Sequence, residues 1–258
     1  MNSTADAPIV LVLGAGAGIG ATTAARFAAE GYRAVLCRRT DQAGLDAAVD
    51  AIQNAGGWAQ GHLLDATAPE ALEALIEETE TRVGPIDTVI FNLGGQIGDR
   101  SLADTSPKTF ERVWRMAALS LYRTAYAVLP VMAARGRGNL FVTASTAALR
   151  GNPGQHAHAA AMGARRLLCQ SLNAEYAAQG IHVAHLVVDG AVDAPDTLGK
   201  MLGPDRFAAL RAAKGGEAGG LISPKAVAET YLYLARQPRS SWTFELDLRS
   251  HSDRAWWN

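Results

Sequence analysis

Three groups of residues carry the chemistry open to this 258-residue chain. The first is a glycine-rich turn, Gly14-Ala15-Gly16-Ala17-Gly18-Ile19-Gly20, set between the apolar run Val10-Leu11-Val12-Leu13 and an alanine-rich helical stretch over residues 22–31. Glycines at such a turn allow a sharp reversal, let backbone N–H groups approach a pyrophosphate, and let the helix pack on the strand. The phosphates then rest on the positive end of the helix. The second group is Arg38-Arg39, directly after the next apolar run, where guanidinium forks can grip phosphate oxygens in bidentate fashion. The third is Ser145, closing the run Val142-Thr143-Ala144-Ser145, with His158 thirteen residues further on. A free imidazole titrates near ~6.5, so it gives or takes a proton at neutral pH unaided. A strand-end serine can hold a substrate oxygen or simply cap the next turn, and His158 fits equally a proton carrier or a bystander in a disused site.

The remaining candidates are blander. His156 precedes His158 by two residues and faces roughly the other way on a helix. His182 and His185 fall in an apolar run and read as structural. No His, Cys, Asp or Glu group has metal-ligand spacing, and Cys37 and Cys169 lack a CxxC pattern. They read as buried thiols, which fits a reducing, cytoplasmic setting. A net charge of −1 offers no electrostatic footprint for nucleic acid. No apolar run is expected to span a membrane. Residues 1–7 lack the order of a secretory signal and read as a flexible leader.

Positioning these groups takes strands that alternate with helices. Strands are expected over residues 9–13, 34–37, 59–64, 88–91, 139–143, 182–188 and 243–248. Helices are expected over 18–30, 42–55, 69–83, 107–134, 157–178 and 224–236, with Thr67 and Ser223 as N-caps. Pro69, Pro107 and Pro224 stand near helix starts, where a missing N–H costs nothing. Continuous apolar strands between helices predict one α/β domain over residues 8–258: a doubly wound, Rossmann-type parallel sheet with helices on both faces. Residues 195–220, with six glycines, are the exception to regular order and read as a mobile substrate lid over the carboxyl edge of the sheet.

The spacing of Gly14, Gly18 and Gly20 resembles the glycine motif of the short-chain dehydrogenase/reductase family. Asp65 after the third strand, Phe91-Asn92-Leu93-Gly94-Gly95 after the fourth, Ser145 at the end of the fifth and residues 154–164 at the start of the active-site helix fall in register with it. The resemblance runs from about residue 8 to 248. It implies that Gly14, Gly18, Ile19 and Gly20 hold a pyrophosphate and Asp65 the adenine. Asn92, Gly94 and Val192 would lie along the ribose and nicotinamide half. Arg38 and Arg39, where a selective acidic residue would otherwise stand, favour NADP(H) over NAD(H), with Asp41 too late in the turn to reverse this.

Departures from the family fall on the catalytic residues. The family's tyrosine and lysine align with His158 and Met162, and its helix asparagine with Ala117. The proline of its Pro-Gly aligns with Asp189 and the following threonine with Ala194. A phenol near pH ~10 needs a neighbouring cation to lower its pKa. A thioether supplies none, but an imidazole requires none, so the double change is chemically coherent. Arg165 and Arg166, one turn beyond Met162, fit an exposed helix face better than a replacement charge. Three functions follow: an atypical NADP(H)-dependent oxidoreductase of a small carbonyl, alcohol or imine; non-redox acid–base chemistry by His158, with Asp189 as its partner; or a non-catalytic cofactor-binding subunit. In each, the helices over 107–134 and 157–178 would pair copies into a homodimer or homotetramer, with no nucleic-acid or membrane partner.

Overall fold

The computed structural model describes residues 7–94, 97–215 and 219–257. Residues 1–6 of the expected leader, Gly95 of the fourth-strand motif and residues 216–218 of the expected lid lie outside them. Seven strands form one fully parallel sheet in the order β3-β2-β1-β4-β5-β6-β7. They are β1 (Ile9–Leu13), β2 (Arg33–Arg38), β3 (Trp58–Leu63), β4 (Ile86–Phe91), β5 (Gly138–Ser145), β6 (Ile181–Val188) and β7 (Glu245–Leu248). All seven expected strands are present. Strand order switches direction between β1 and β4, running outward one way through β2 and β3 and the other way through β5 to β7, which opens the crevice where ligands bind in such sheets.

Strand periodicity explains why the apolar runs are unbroken. Ile9, Leu11 and Leu13 point into one core with α5 (Ser120–Ala134) and α3 (Ala71–Glu78), whereas Val10 and Val12 point into the other with α1 (Ile19–Ala28), α2 (Gln42–Asn54) and α9 (Pro224–Ala235). A strand covered on both faces buries every side chain, and all five residues of β1 are buried.

Three expectations need correction. The helix over 107–134 is broken into α4 (Pro107–Trp114), a π turn (Arg115–Leu119) and α5. This 28-residue stretch is also long and apolar enough to cross a bilayer, contrary to expectation, but half of its most apolar window is buried inside the protein, as in a core helix. Thr67 does not cap α3. Its N–H and hydroxyl both donate to Asp65 Oδ1, at 2.9 and 2.7 Å, and the helix starts after Glu70, whose φ of 59° is left-handed. Ser223 does occupy the N-cap of α9, without a side-chain capping bond. The third correction concerns residues 195–220, which are not irregular: a π turn (Pro195–Gly199), α7 (Lys200–Leu202) and α8 (Pro204–Ala213) account for most of them.

His182 and His185 have the structural role expected. His182 Nε2 lies 2.8 Å from the Thr243 carbonyl, and His185 Nδ1 lies 3.1 Å from Glu245 Oε2. Burial pushes the His185 imidazole down to about 4. The unfolded chain takes up this proton near pH ~6.5, before the folded one does, so the contribution is complete above that pH and is lost as pH falls toward 4. The full difference is roughly 3 kcal/mol. Thermal midpoints measured from pH 7.5 to 4.5 are expected to fall, and His185→Gln should flatten the slope; equal slopes would remove His185 as a cause.

Candidate active site

At the carboxyl edge of β1, Gly14 and Ala15 donate their N–H groups to the Cys37 carbonyl at the end of β2, at 3.1 and 2.8 Å. Gly14 has φ 93°, and a Cβ there would stand 2.6 Å from the Asn92 carbonyl oxygen. Only glycine allows β4 to approach this turn so closely. Gly20 has a different duty from the one expected. It is buried in α1, where a Cβ would collide with the Gly14 carbonyl, so it packs the helix on the turn and does not face the cleft.

The turn opens into a cleft of about 550 Å³. Gly14, Gly18 and Ile19 line its floor, and Arg38, Arg39 and Asp65 line the end near β2 and β3. Asn92, Gly94 and Val192 line the rest, so nine of the ten expected cofactor positions border one cavity. Sequence reasoning missed Met116, from the π turn between α4 and α5, and Thr197, from the turn before α7. Thr197 Oγ1 lies 3.6 Å from where a Gly18 Cβ would be. Met116 carries no signal in the sequence, while a hydroxyl just after Pro195 could have been weighed.

Hydrogen bonds fix the inner wall. Tyr231 and Thr143 hydroxyls are 2.7 Å apart, Thr143 Oγ1 donates to Asn92 Oδ1 at 2.8 Å, and Asn92 Nδ2 donates to the Gly14 carbonyl at 2.9 Å. Burial pushes the Tyr231 phenol up, so it stays protonated and donates to Thr143. The relay joins α9, β5, β4 and the glycine turn. Asn92 thus borders the cleft, but its amide is committed to the turn. Asp65 is held as a carboxylate by the two bonds from Thr67, which lower its pKa.

Arg38 and Arg39 differ. Arg38 Nη2 lies 2.7 Å from Asp41 Oδ2, and Asp41 caps α2 by accepting from Gly44 N at 2.9 Å. Asp41 thus reaches back along the turn and pairs with Arg38. Arg39 is exposed at the same end of the cleft.

Ser145 and His158 meet. Ser145 ends β5 and His158 lies in the first turn of α6 (His156–Tyr176), with Ser145 Oγ 3.0 Å from His158 Nε2. Ser145 Oγ also accepts from Ala147 N at 3.3 Å, so it caps the next turn as well. His158 is only 8% exposed. The pair does not line the cavity itself. It stands two residues beyond Thr143, whose hydroxyl holds the cleft-lining Asn92. Met162 and Ala117 pack into a small apolar cluster with Val113, Ala144 and Ala147.

Two further residues lie elsewhere than expected. Arg165 is not on an exposed face; it is 2% exposed, beneath the site. Asp189 is not aimed at His158. Its carboxylate accepts from Trp256 N at 3.1 Å and Arg249 Nη1 at 3.5 Å, anchoring the chain that follows β7. Arg150 Nη1 holds the Trp256 carbonyl at 2.7 Å, and Lys214 pairs with Asp253, so this segment joins the end of α8 to the loop after β5. No cluster of metal-ligating side chains occurs among the described residues.

A family model described as short chain dehydrogenase matches residues 8–199. The chain is 34% identical over 254 residues to the short-chain reductase protein NovJ of Streptomyces niveus, covering 94% of this chain and 95% of that protein. It is 28% identical over 230 residues to the 3-oxoacyl-(acyl-carrier-protein) reductase FabG of Escherichia coli, covering 89% and 90%. Among solved structures it resembles a short-chain dehydrogenase from Rhodopseudomonas palustris, at 32% identity and TM-score 0.78, covering 94% and 98%. It also resembles a variant of actinorhodin polyketide ketoreductase with NADPH, at 25% identity and TM-score 0.84, covering 96% and 98%.

Proposed function

The chain belongs to the short-chain dehydrogenase/reductase family, and from that premise we propose an NADP(H)-dependent oxidoreductase of a small carbonyl, alcohol or imine with His158 as its proton carrier. The observation that carries this is the 3.0 Å contact between Ser145 Oγ and His158 Nε2 beside a nine-position cofactor cleft. The residues present fit the dinucleotide at its phosphate and adenosine end. Gly14 keeps the turn open, the N-terminus of α1 borders the cleft where it would meet the pyrophosphate, and Arg39, which makes no ion pair among the described residues, would meet the 2′-phosphate. The ketoreductase neighbour, solved with NADPH, supports the phosphorylated form.

Bound NADPH supplies a hydride. Ser145 holds the substrate oxygen by its hydroxyl, while His158 Nε2 delivers the proton that this oxygen needs as the carbonyl carbon is reduced. His158 is then reprotonated from water. In the other direction the same nitrogen accepts the proton. Asp189 is committed to Arg249 and Trp256, which counts against a His158–Asp189 pair for cofactor-free acid–base chemistry.

The reading extends to a homodimer or homotetramer with α4, α5 and α6 as the contact. Trp114, Tyr122, Tyr126 and Leu167 are apolar and exposed there. One sheet and two continuous cores support the reading of a single domain over residues 8–258, with α7 and α8 as a movable cover. Free, buried Cys37 and Cys169 suit a reducing cytoplasm.

Titration with NADPH and NADH by reduced-nicotinamide fluorescence, followed by turnover on a carbonyl and imine panel, tests the proposal. Micromolar, NADPH-selective binding with turnover is expected. Binding without turnover would leave a non-catalytic subunit, and no binding would discard the cofactor.

A further inference from the structure

Arg165 is one of the largest fully buried side chains in the protein. Among the described residues no carboxylate pairs with it. Three backbone carbonyls receive its N–H groups instead: Ala117 from Nε at 2.8 Å, Thr143 from Nη1 at 2.8 Å, and Leu93 from Nη2. The guanidinium also lies 4.9 Å from the centre of the Phe91 ring.

Each carbonyl belongs to the inner wall of the cleft or its neighbour. Leu93 lines the cavity, Ala117 follows the cavity-lining Met116, and Thr143 holds Asn92 through its hydroxyl. Arg165 therefore stands directly behind that wall. A buried cation without a counter-ion is costly, and three carbonyl dipoles offset only part of the cost. An apolar side chain would fill this position without that cost. The charge itself then needs a function.

We propose that Arg165 is a positioning residue and a fixed positive charge behind the inner wall of the cleft, holding three wall carbonyls and favouring the reduced, neutral nicotinamide over the oxidised, cationic one. This rests on the proposed NADP(H) site. Like charges within about a nanometre, at the effective dielectric of a protein interior, repel enough to separate two affinities by roughly tenfold. Such a bias would load the cleft with NADPH and let NADP+ leave readily once formed.

The test is the ratio of the Kd for NADP+ to the Kd for NADPH, measured by calorimetry on the wild type, Arg165→Gln and Arg165→Lys. Gln keeps two donors and loses the charge, whereas Lys keeps the charge and loses the fork. The wild-type ratio should be roughly ten or more, should fall toward one in Arg165→Gln, and should persist in Arg165→Lys. Equal wild-type affinities for the two forms would overturn the inference without any variant, even if Arg165→Gln fails to fold. A ratio unchanged in a folded Arg165→Gln, or lost equally in Arg165→Lys, would also overturn it. Wild-type protein that binds neither form overturns the cofactor site itself, and this inference with it.

Discussion

His158→Ala is expected to lower kcat for carbonyl reduction by on the order of 10²–10⁴-fold while leaving the Kd for NADPH within about twofold. The two quantities separate because His158 reaches Ser145 Oγ but does not line the cofactor cavity. Removing the imidazole takes away the one side chain that, among the described residues, shares a proton with the Ser145 hydroxyl, and His158 is not among the residues that line the cavity. His158→Tyr makes a sharper contrast. A phenol titrates near pH ~10, and Met162 and Ala117 in their apolar cluster provide no charge to lower it. Tyrosine at 158 alone should therefore work worse at pH 7 than histidine, and Met162→Lys added to it should recover part of the loss. Rates under single-turnover conditions, with cofactor affinity measured separately, check all three variants. Unchanged kcat in His158→Ala would remove the imidazole from the chemistry and turn attention to a water held by Ser145.

Elements that bury both faces were the most legible in this chain. β1 has no polar residue to disguise it, and its five residues divide between two cores. The glycine turn was legible for the same reason, since Gly14 answers a close approach by β4 that no other residue allows. Failures lie where long polar side chains choose among distant partners. Arg165 reads as surface because guanidinium groups are seldom buried, and the carbonyls that receive it come from residues 22 to 72 positions away. Asp189 reads as a base for His158, yet its partners lie 60 and 67 positions further along. Glycine content misled in the other direction at residues 195–220, where α8 starts from Gly203 at φ 86° and regular helix follows. Ser145 and His158 were legible through the family resemblance, whose serine and tyrosine positions they occupy, and the two side chains meet at 3.0 Å.

The other large effect falls at the far end of the cleft, where adjacent arginines have unequal duties. Arg39→Ala should weaken NADPH binding by about 10- to 100-fold, the range for losing hydrogen bonds to a charged group, and should leave NADH nearly unchanged. Arg38→Ala should cost less. Arg38 is already paired with Asp41 at 2.7 Å. The Asp41 carboxylate is held ionised chiefly by the Gly44 N–H, with Arg38 adding to it, so the pair presents little net charge to a phosphate. Arg39 has no such partner among the described ion pairs, borders the cavity, and its field helps keep Asp65 ionised. Asp41→Asn then becomes the informative companion. Without the carboxylate, Arg38 swings free to join Arg39, and NADPH affinity should rise several-fold while α2 keeps its cap through the Asn side chain. Paired titrations with NADPH and NADH on the three variants decide it. Equal losses for both cofactors in Arg39→Ala would mean that this guanidinium holds the ribose or adenine, and selectivity would then rest on Arg38.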